Sequence, residues 1–150
     1  MLDQRDRTPD NRLMLGKDAK MDLIRSVPLF EDCSRKELRE IAAAVDEVVV
    51  PAGYVLTKEG ASGKELVVIV EGAAEVRRRG RKINELGSGD FLGEIALISG
   101  AARTATVTTT SEARILVLND RGFRRLTKEI PSLQASVLKA LSERLQADAL

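Results

Sequence analysis

Residues 87–105 read Gly87-Ser-Gly-Asp-Phe-Leu-Gly93-Glu94-Ile-Ala-Leu-Ile-Ser-Gly-Ala-Ala-Arg103-Thr104-Ala105. A turn punctuated by Gly87, Gly89 and Gly93 runs into a short helix-compatible stretch, Glu94 to Ile98, and Arg103 follows at the start of a new strand. Each part suits a small ribose phosphate. Gly93 lets backbone approach a ligand closely, and the first N–H groups of a short helix have no intrahelical partner, so they can point at an anion. Arg103 supplies charge in a planar fork that binds two phosphate oxygens and stays protonated on burial. Glu94 would be repelled by a phosphate. Neutral donors such as ribose hydroxyls, or Arg103 itself, suit it better.

Outward from this stretch the chain is rich in short strands. Val48-Val49-Val50, a turn at Pro51-Ala52-Gly53, and Tyr54 to Thr57 read as two strands. Leu66 to Val70 is apolar enough for a strand buried on both faces, closed by Glu71-Gly72. Ala74 to Arg78 and Lys82 to Leu86 pair as a hairpin around Gly80, Thr104 to Thr108 alternate, and Ala113 to Leu118 supply a last strand. Many short strands at near-regular spacing predict a closed or double-sheet antiparallel architecture rather than a parallel α/β sheet.

Helices flank this β region. Met21, Ile24 and Val27 share a face before Pro28. Ser34-Arg-Lys-Glu37 has capping-box form ahead of Leu38, Ile41, Ala42 and Val45. Downstream, Asn119 or Asp120 caps a helix carrying Phe123, Leu126 and Ile130 up to Pro131, and a final helix carries Leu133, Val137, Leu138, Leu141 and Leu145. That last apolar stripe must cover a pocket mouth or a second subunit.

The run Gly93-Glu94-Ile95-Ala96-Leu97, followed at fixed spacing by Arg103-Thr104-Ala105, resembles the phosphate-binding cassette of the cyclic nucleotide-binding domain family. That module occurs in bacterial catabolite-activator regulators, regulatory subunits of cyclic-nucleotide-dependent kinases and cyclic-nucleotide-gated channels. Leu92 stands where the family commonly has Phe and Ala102 where it commonly has Pro; neither position supplies a ligand group. The likeness extends over roughly residues 23 to 146. It implies a mainly β fold with flanking helices: an eight-stranded antiparallel β-roll, N-terminal helices, a short cassette helix and two C-terminal helices.

By the same resemblance, Arg103 pairs with the cyclic phosphate, Glu94 accepts from the ribose 2′-hydroxyl, and backbone N–H groups near Gly93, Ile95 and Ala96 complete the phosphate shell. Thr104 would touch the phosphate and the purine edge; a hydroxyl there often accompanies guanine recognition in kinases of the family, yet bacterial activators and some channels carry Ser or Thr and respond to adenine nucleotide, so cAMP is modestly favoured over cGMP as the regulatory ligand, with no metal. The final helix would cover the base. No aromatic residue follows Phe123, so Leu138, Leu141, Arg144 and Leu145 are the candidates for an aliphatic or arginine-based lid.

Length and composition bound the rest. The 150 residues make one domain, expected as a tail or docking helix over 1–20 and the nucleotide-binding domain over 21–150. A net charge of +1 provides no overall basic field for nucleic acid. The run Arg77-Arg78-Arg79-Gly80-Arg81-Lys82 is read as a solvated hairpin tip, since the chain has almost no aromatic residues to stack on bases. The lone Cys33 fits a reducing, cytoplasmic setting. No apolar core follows Met1, so no signal peptide is expected, and the longest apolar runs are too short to span a bilayer. The absence of histidine removes His-based acid–base catalysis and most transition-metal sites, so a binding module, not an enzyme, is expected. The chain ends soon after the final helix, so it is expected to act without its own output domain, through an unknown protein partner, through a homodimer of that helix, or as a fragment of something longer. The alternative is a structural or interaction module that keeps the fold without the ligand.

Overall fold

A computed structural model of the protein describes residues 16–61, 65–93 and 105–149, the side chains of residues 141 and 144–149 excepted. The β region comprises β1 (Asp46–Val50), β2 (Val55–Thr57), β3 (Glu65–Glu71), β4 (Ala74–Arg78), β5 (Arg81–Leu86), β6 (Phe91–Leu92), β7 (Thr106–Thr109) and β8 (Ala113–Asn119). Around it stand α1 (Lys17–Ser26), a 3-10 turn (Pro28–Phe30), α2 (Arg35–Ala44), α3 (Asp120–Glu129) and α4 (Pro131–Ala149). The expected short cassette helix, Glu94 to Ile98, lies outside the described residues.

The strands form two four-stranded antiparallel sheets, ordered β1-β8-β3-β6 and β2-β7-β4-β5. The architecture is therefore the double-sheet β-roll expected from the sequence. Strands β3 and β8 sit centrally in the first sheet, in register from Glu65 opposite Asn119 to Ile69 opposite Ile115. Their side chains alternate between two cores. Val67, Ile69, Ile115 and Val117 meet Val50, Leu56 and Val107 between the sheets. Leu66, Val68, Val70, Leu116 and Leu118 turn the other way, toward Ile24, Phe30, Leu38, Ile41, Leu126 and Ile130 of the helical layer. That double burial explains the unbroken apolar run from Leu66 to Val70, because a strand covered on both faces has no polar side to alternate with.

The helices are terminated by the signals their sequences carry. Ser34 Oγ accepts from the Glu37 N–H at 3.2 Å while Glu37 Oε1 accepts from the Ser34 N–H at 2.7 Å, a complete capping box for α2. At the other end of α2, Lys20 donates to the carbonyls of Ala42 (2.8 Å) and Val45 (3.2 Å), so α1 supplies donors to a helix C-terminus that lacks them. Helix α1 begins at Lys17, and Met21 and Ile24 are buried beneath it. Of the two candidate caps for α3, Asn119 serves, its Oδ1 accepting from the Gly122 N–H at 2.7 Å.

Gly72 permits the turn between β3 and β4. Its φ is +106°, and a Cβ there would lie 2.7 Å from both Ala113 Cβ and the Glu112 carbonyl oxygen. Only glycine fits such a place without moving backbone.

On the helix side of the first sheet, at its far end, Arg114 pairs with Glu47, and its Nε lies 3.5 Å from Glu71. The Arg114 and Glu47 side chains are only 10% and 7% exposed, so this ion pair is held largely away from water.

Candidate functional site

The described residues show how the two ends of the Gly87 to Ala105 stretch are held. At the entrance, Asp90 Oδ2 accepts from the Gly87 N–H at 2.7 Å and the Asp90 N–H donates to the Gly87 carbonyl at 3.1 Å, which closes the turn. Gly89 (φ +92°) then donates to the Ile69 carbonyl at 2.7 Å, and Ile69 N–H donates to the Asp90 carbonyl at 2.8 Å. The turn is thus laced to the central strand β3. Phe91 and Leu92 continue the ladder opposite Val68 and Val67 as the two-residue strand β6, with Leu92 buried between the sheets. Gly93 follows at φ +103°, a conformation that other residues rarely adopt.

At the exit, Ala105 is buried and its carbonyl accepts from the Thr57 hydroxyl at 3.2 Å. The Thr106 hydroxyl accepts from the Glu59 N–H at 3.0 Å, and β7 then pairs with β2 on one side and β4 on the other. The entrance belongs to the first sheet and the exit to the second. The two described ends of the stretch thus lie in different sheets, Gly93 after β6 and Ala105 before β7.

Of the predicted ligand residues, Gly93 is described and sits at the entrance; Glu94, Ile95, Ala96, Arg103 and Thr104 lie outside the described residues. Of the predicted lid residues, Leu138 lies on α4 and is 60% exposed, whereas Leu133 and Val137 of the same helix are buried in the helical core. The side chains of Leu141, Arg144 and Leu145 lie outside the described residues. Three residues that hold the ends, Thr57, Glu59 and Asp90, carried no functional signal in the sequence. Asp90 has a recognisable turn residue's position between Gly89 and Phe91, but Thr57 and Glu59 act across 48 and 47 positions of chain, which no local pattern reveals.

The basic hairpin is largely exposed, and two of its five cations pair with carboxylates of the same hairpin. Arg77 bonds Glu75 at 2.7 Å, which holds the Glu75 carboxyl below its usual range and raises the guanidinium in turn. Lys82 pairs with Glu85, and the backbone N–H of Arg79 donates to Glu59 Oε1 at 2.9 Å. Among the described residues no three His, Cys, Asp or Glu side chains gather as a metal site, and no helix is long and apolar enough to cross a membrane.

Comparison with known proteins agrees with this geometry. A family model described as the cyclic nucleotide-binding domain matches residues 47–129, more than half of the chain. A cyclic nucleotide-gated potassium channel of Rhizobium etli is 38% identical over 122 residues, covering 81% of this chain and 34% of the channel. A cAMP-dependent protein kinase regulatory subunit of Eremothecium gossypii is 32% identical over 127 residues, covering 81% of this chain and 28% of that protein. The chain thus spans about a third of the length of these relatives. Among solved structures, PKAR CBD2 bound to Sp-2Cl-cAMPS superposes with a TM-score of 0.75 at 22% identity, over 89% of this chain and 92% of that one.

Proposed function

The chain belongs to the cyclic nucleotide-binding domain family, and from that premise we propose that it is a regulatory module that binds a cyclic nucleotide, cAMP in preference to cGMP, and performs no catalysis of its own. The observation that carries this reading is the family match over residues 47–129, and it is supported by how the two described ends of the predicted cassette are held: a left-handed Gly93 at the end of β6 in one sheet, and Ala105, bonded by Thr57, at the start of the other.

In this proposal Arg103 is the counter-charge of the cyclic phosphate and Glu94 accepts from the ribose 2′-hydroxyl. N–H groups at Gly93, Ile95 and Ala96 surround the phosphate oxygens, and the Thr104 hydroxyl lies between phosphate and purine. The base is covered from α4, by Leu138, Leu141, Arg144 or Leu145. Nucleotide shifts α4 toward the covering position only to the extent that it binds that state better. A protein partner, or a second copy docked through α4, reads the change. A reducing, cytoplasmic setting, argued from the single cysteine, belongs to the same proposal.

Calorimetric titration of the whole chain with cAMP and cGMP tests the reading. Wild type is expected to bind cAMP more tightly. Arg103→Ala should lose about 3 kcal/mol, roughly a hundredfold in affinity, because a phosphate deprived of its guanidinium keeps only neutral donors. Glu94→Ala should lose less, mainly its preference for a ribose over a 2′-deoxyribose. A melting temperature unmoved by millimolar amounts of either nucleotide would overturn the sensor assignment and leave the ligand-free interaction module.

A further inference from the structure

At the β4–β5 hairpin, where cations attract attention in the sequence, Arg77 pairs with Glu75 and Lys82 with Glu85. Among the described residues the cations of α3 have no such partners. Its sequence, Asp-Arg-Gly-Phe-Arg-Arg-Leu-Thr-Lys-Glu, places Arg121, Arg124, Arg125 and Lys128 at i, i+3, i+4 and i+7. At 100° per residue these four fall within an arc of about 100°, over about 10 Å of helix axis. All four are exposed, and none makes an ion pair or side-chain hydrogen bond among the described residues. Phe123 and Leu126 occupy the opposite side, buried in the helical core, so the helix cannot rotate to hide the stripe.

Helix stability does not account for this pattern. Neighbouring like charges at i+3 and i+4 repel, and Arg121 stands in the first turn, where the helix dipole disfavours a cation. The stripe also concentrates charge: α3 alone carries four cations against two carboxylates, while the whole chain is at +1.

We propose that the outer face of α3 is a docking surface for an acidic protein segment, a helix whose carboxylates repeat at i, i+3, i+4 and i+7. Three of the four cations are arginines, whose planar guanidinium groups match carboxylates two bonds at a time. The stripe is narrow, bordered by Asp120 and Glu129, which would repel a broad anionic plane such as a lipid surface. The two large apolar side chains exposed in the described structure, Ile83 and Leu138, both lie off α3, so the stripe offers nothing to insert between acyl chains. It offers no aromatic ring to stack on bases either. An acidic helix meets all three conditions, because its charges lie in a strip of the same width and repeat.

The test is an NMR titration of the isotope-labelled full chain with a helical peptide carrying Glu at that spacing, beside a twin with Gln in place of each Glu. Amide shifts centred on Asn119 to Glu129 are expected with the Glu peptide and absent with the Gln twin. Arg124→Gln/Arg125→Gln should weaken binding at least about fivefold, whereas Arg81→Gln/Lys82→Gln at the hairpin should leave it unchanged. Equal melting temperatures show that both variants remain folded. No shifts on α3, equal shifts with the Gln twin, or equal loss in the hairpin variant would overturn the proposal. So would tighter binding, centred on α3, to phosphatidylserine vesicles or duplex DNA.

Discussion

Replacing Arg114 by methionine would keep most of the side-chain volume while removing the guanidinium that faces Glu47. The Glu47 side chain is 7% exposed and that of Arg114 10%, so water can do little to replace the lost partner. Breaking a buried pair from one side costs about 3–5 kcal/mol, because a charge is left where solvation is poor. The lower end, about 3 kcal/mol, is expected here, since Glu47 keeps a further contact and the Glu71 arm of the cluster is 56% exposed and contributes little. For a chain of 150 residues that corresponds to a fall in melting temperature of about 6–12 °C. The double variant Glu47→Leu/Arg114→Met removes both charges and should recover most of the loss, as replacing a buried pair by apolar side chains is often near neutral. Urea unfolding of wild type, both single variants and the double variant closes the cycle. A loss below about 1 kcal/mol for Arg114→Met would place the pair among ordinary screened surface pairs and refute the assignment of a buried cluster.

Thr57→Val removes the hydroxyl that holds the Ala105 carbonyl; at about 1 kcal/mol, cyclic nucleotide affinity should fall about fivefold in calorimetry, and an unchanged affinity would show that this bond does not position residues 94–104. Gly72→Ala should destabilise by about 3 kcal/mol in urea unfolding, the joint cost of a positive φ and of a Cβ driven 2.7 Å from backbone and side chain of the β8 entry. Burial pushes the Cys33 thiol above its ordinary range, partly opposed by a hydrogen bond with Ser132 and reinforced by Glu37 and Asp32. The folded state therefore holds the thiol proton longer than the unfolded chain does: the stabilisation is complete below the ordinary thiol pKa and is lost as pH rises toward the folded value. Iodoacetamide should accordingly alkylate Cys33 more slowly at pH 8 than a thiol in an unfolded peptide, and equal rates would contradict the burial effect.

Much of this structure was legible in local pattern. The Ser34–Glu37 capping box, the hairpin turning at Arg79–Gly80, and the apolar run of β3 are each written in a few adjacent residues, because caps, turns and side-chain period depend on neighbours along the chain. Residue chemistry likewise singled out the Gly87 to Ala105 stretch: glycine for close backbone approach, arginine for charge.

What local pattern did not contain was partnership. Two-residue β6 is too short to have a period, and it is a strand only because Val67 and Val68 of β3 lie beside it. Helix α1 begins as far back as Lys17, where Lys20 finds the carbonyl groups of Ala42 and Val45. The charges of Glu47 and Arg114 look like solvated strand positions until β1 and β8 pair and bury them. The basic hairpin drew the eye, yet two of its five cations pair with Glu75 and Glu85, while the quieter helix α3 keeps its four cations on one face. The sequence by itself determined which residue types could receive a phosphate and where most of the strands and helices lie. Tertiary structure decided that the two ends of that stretch belong to different sheets, because strand pairing is settled by backbone hydrogen bonds and shared cores between residues distant in the chain.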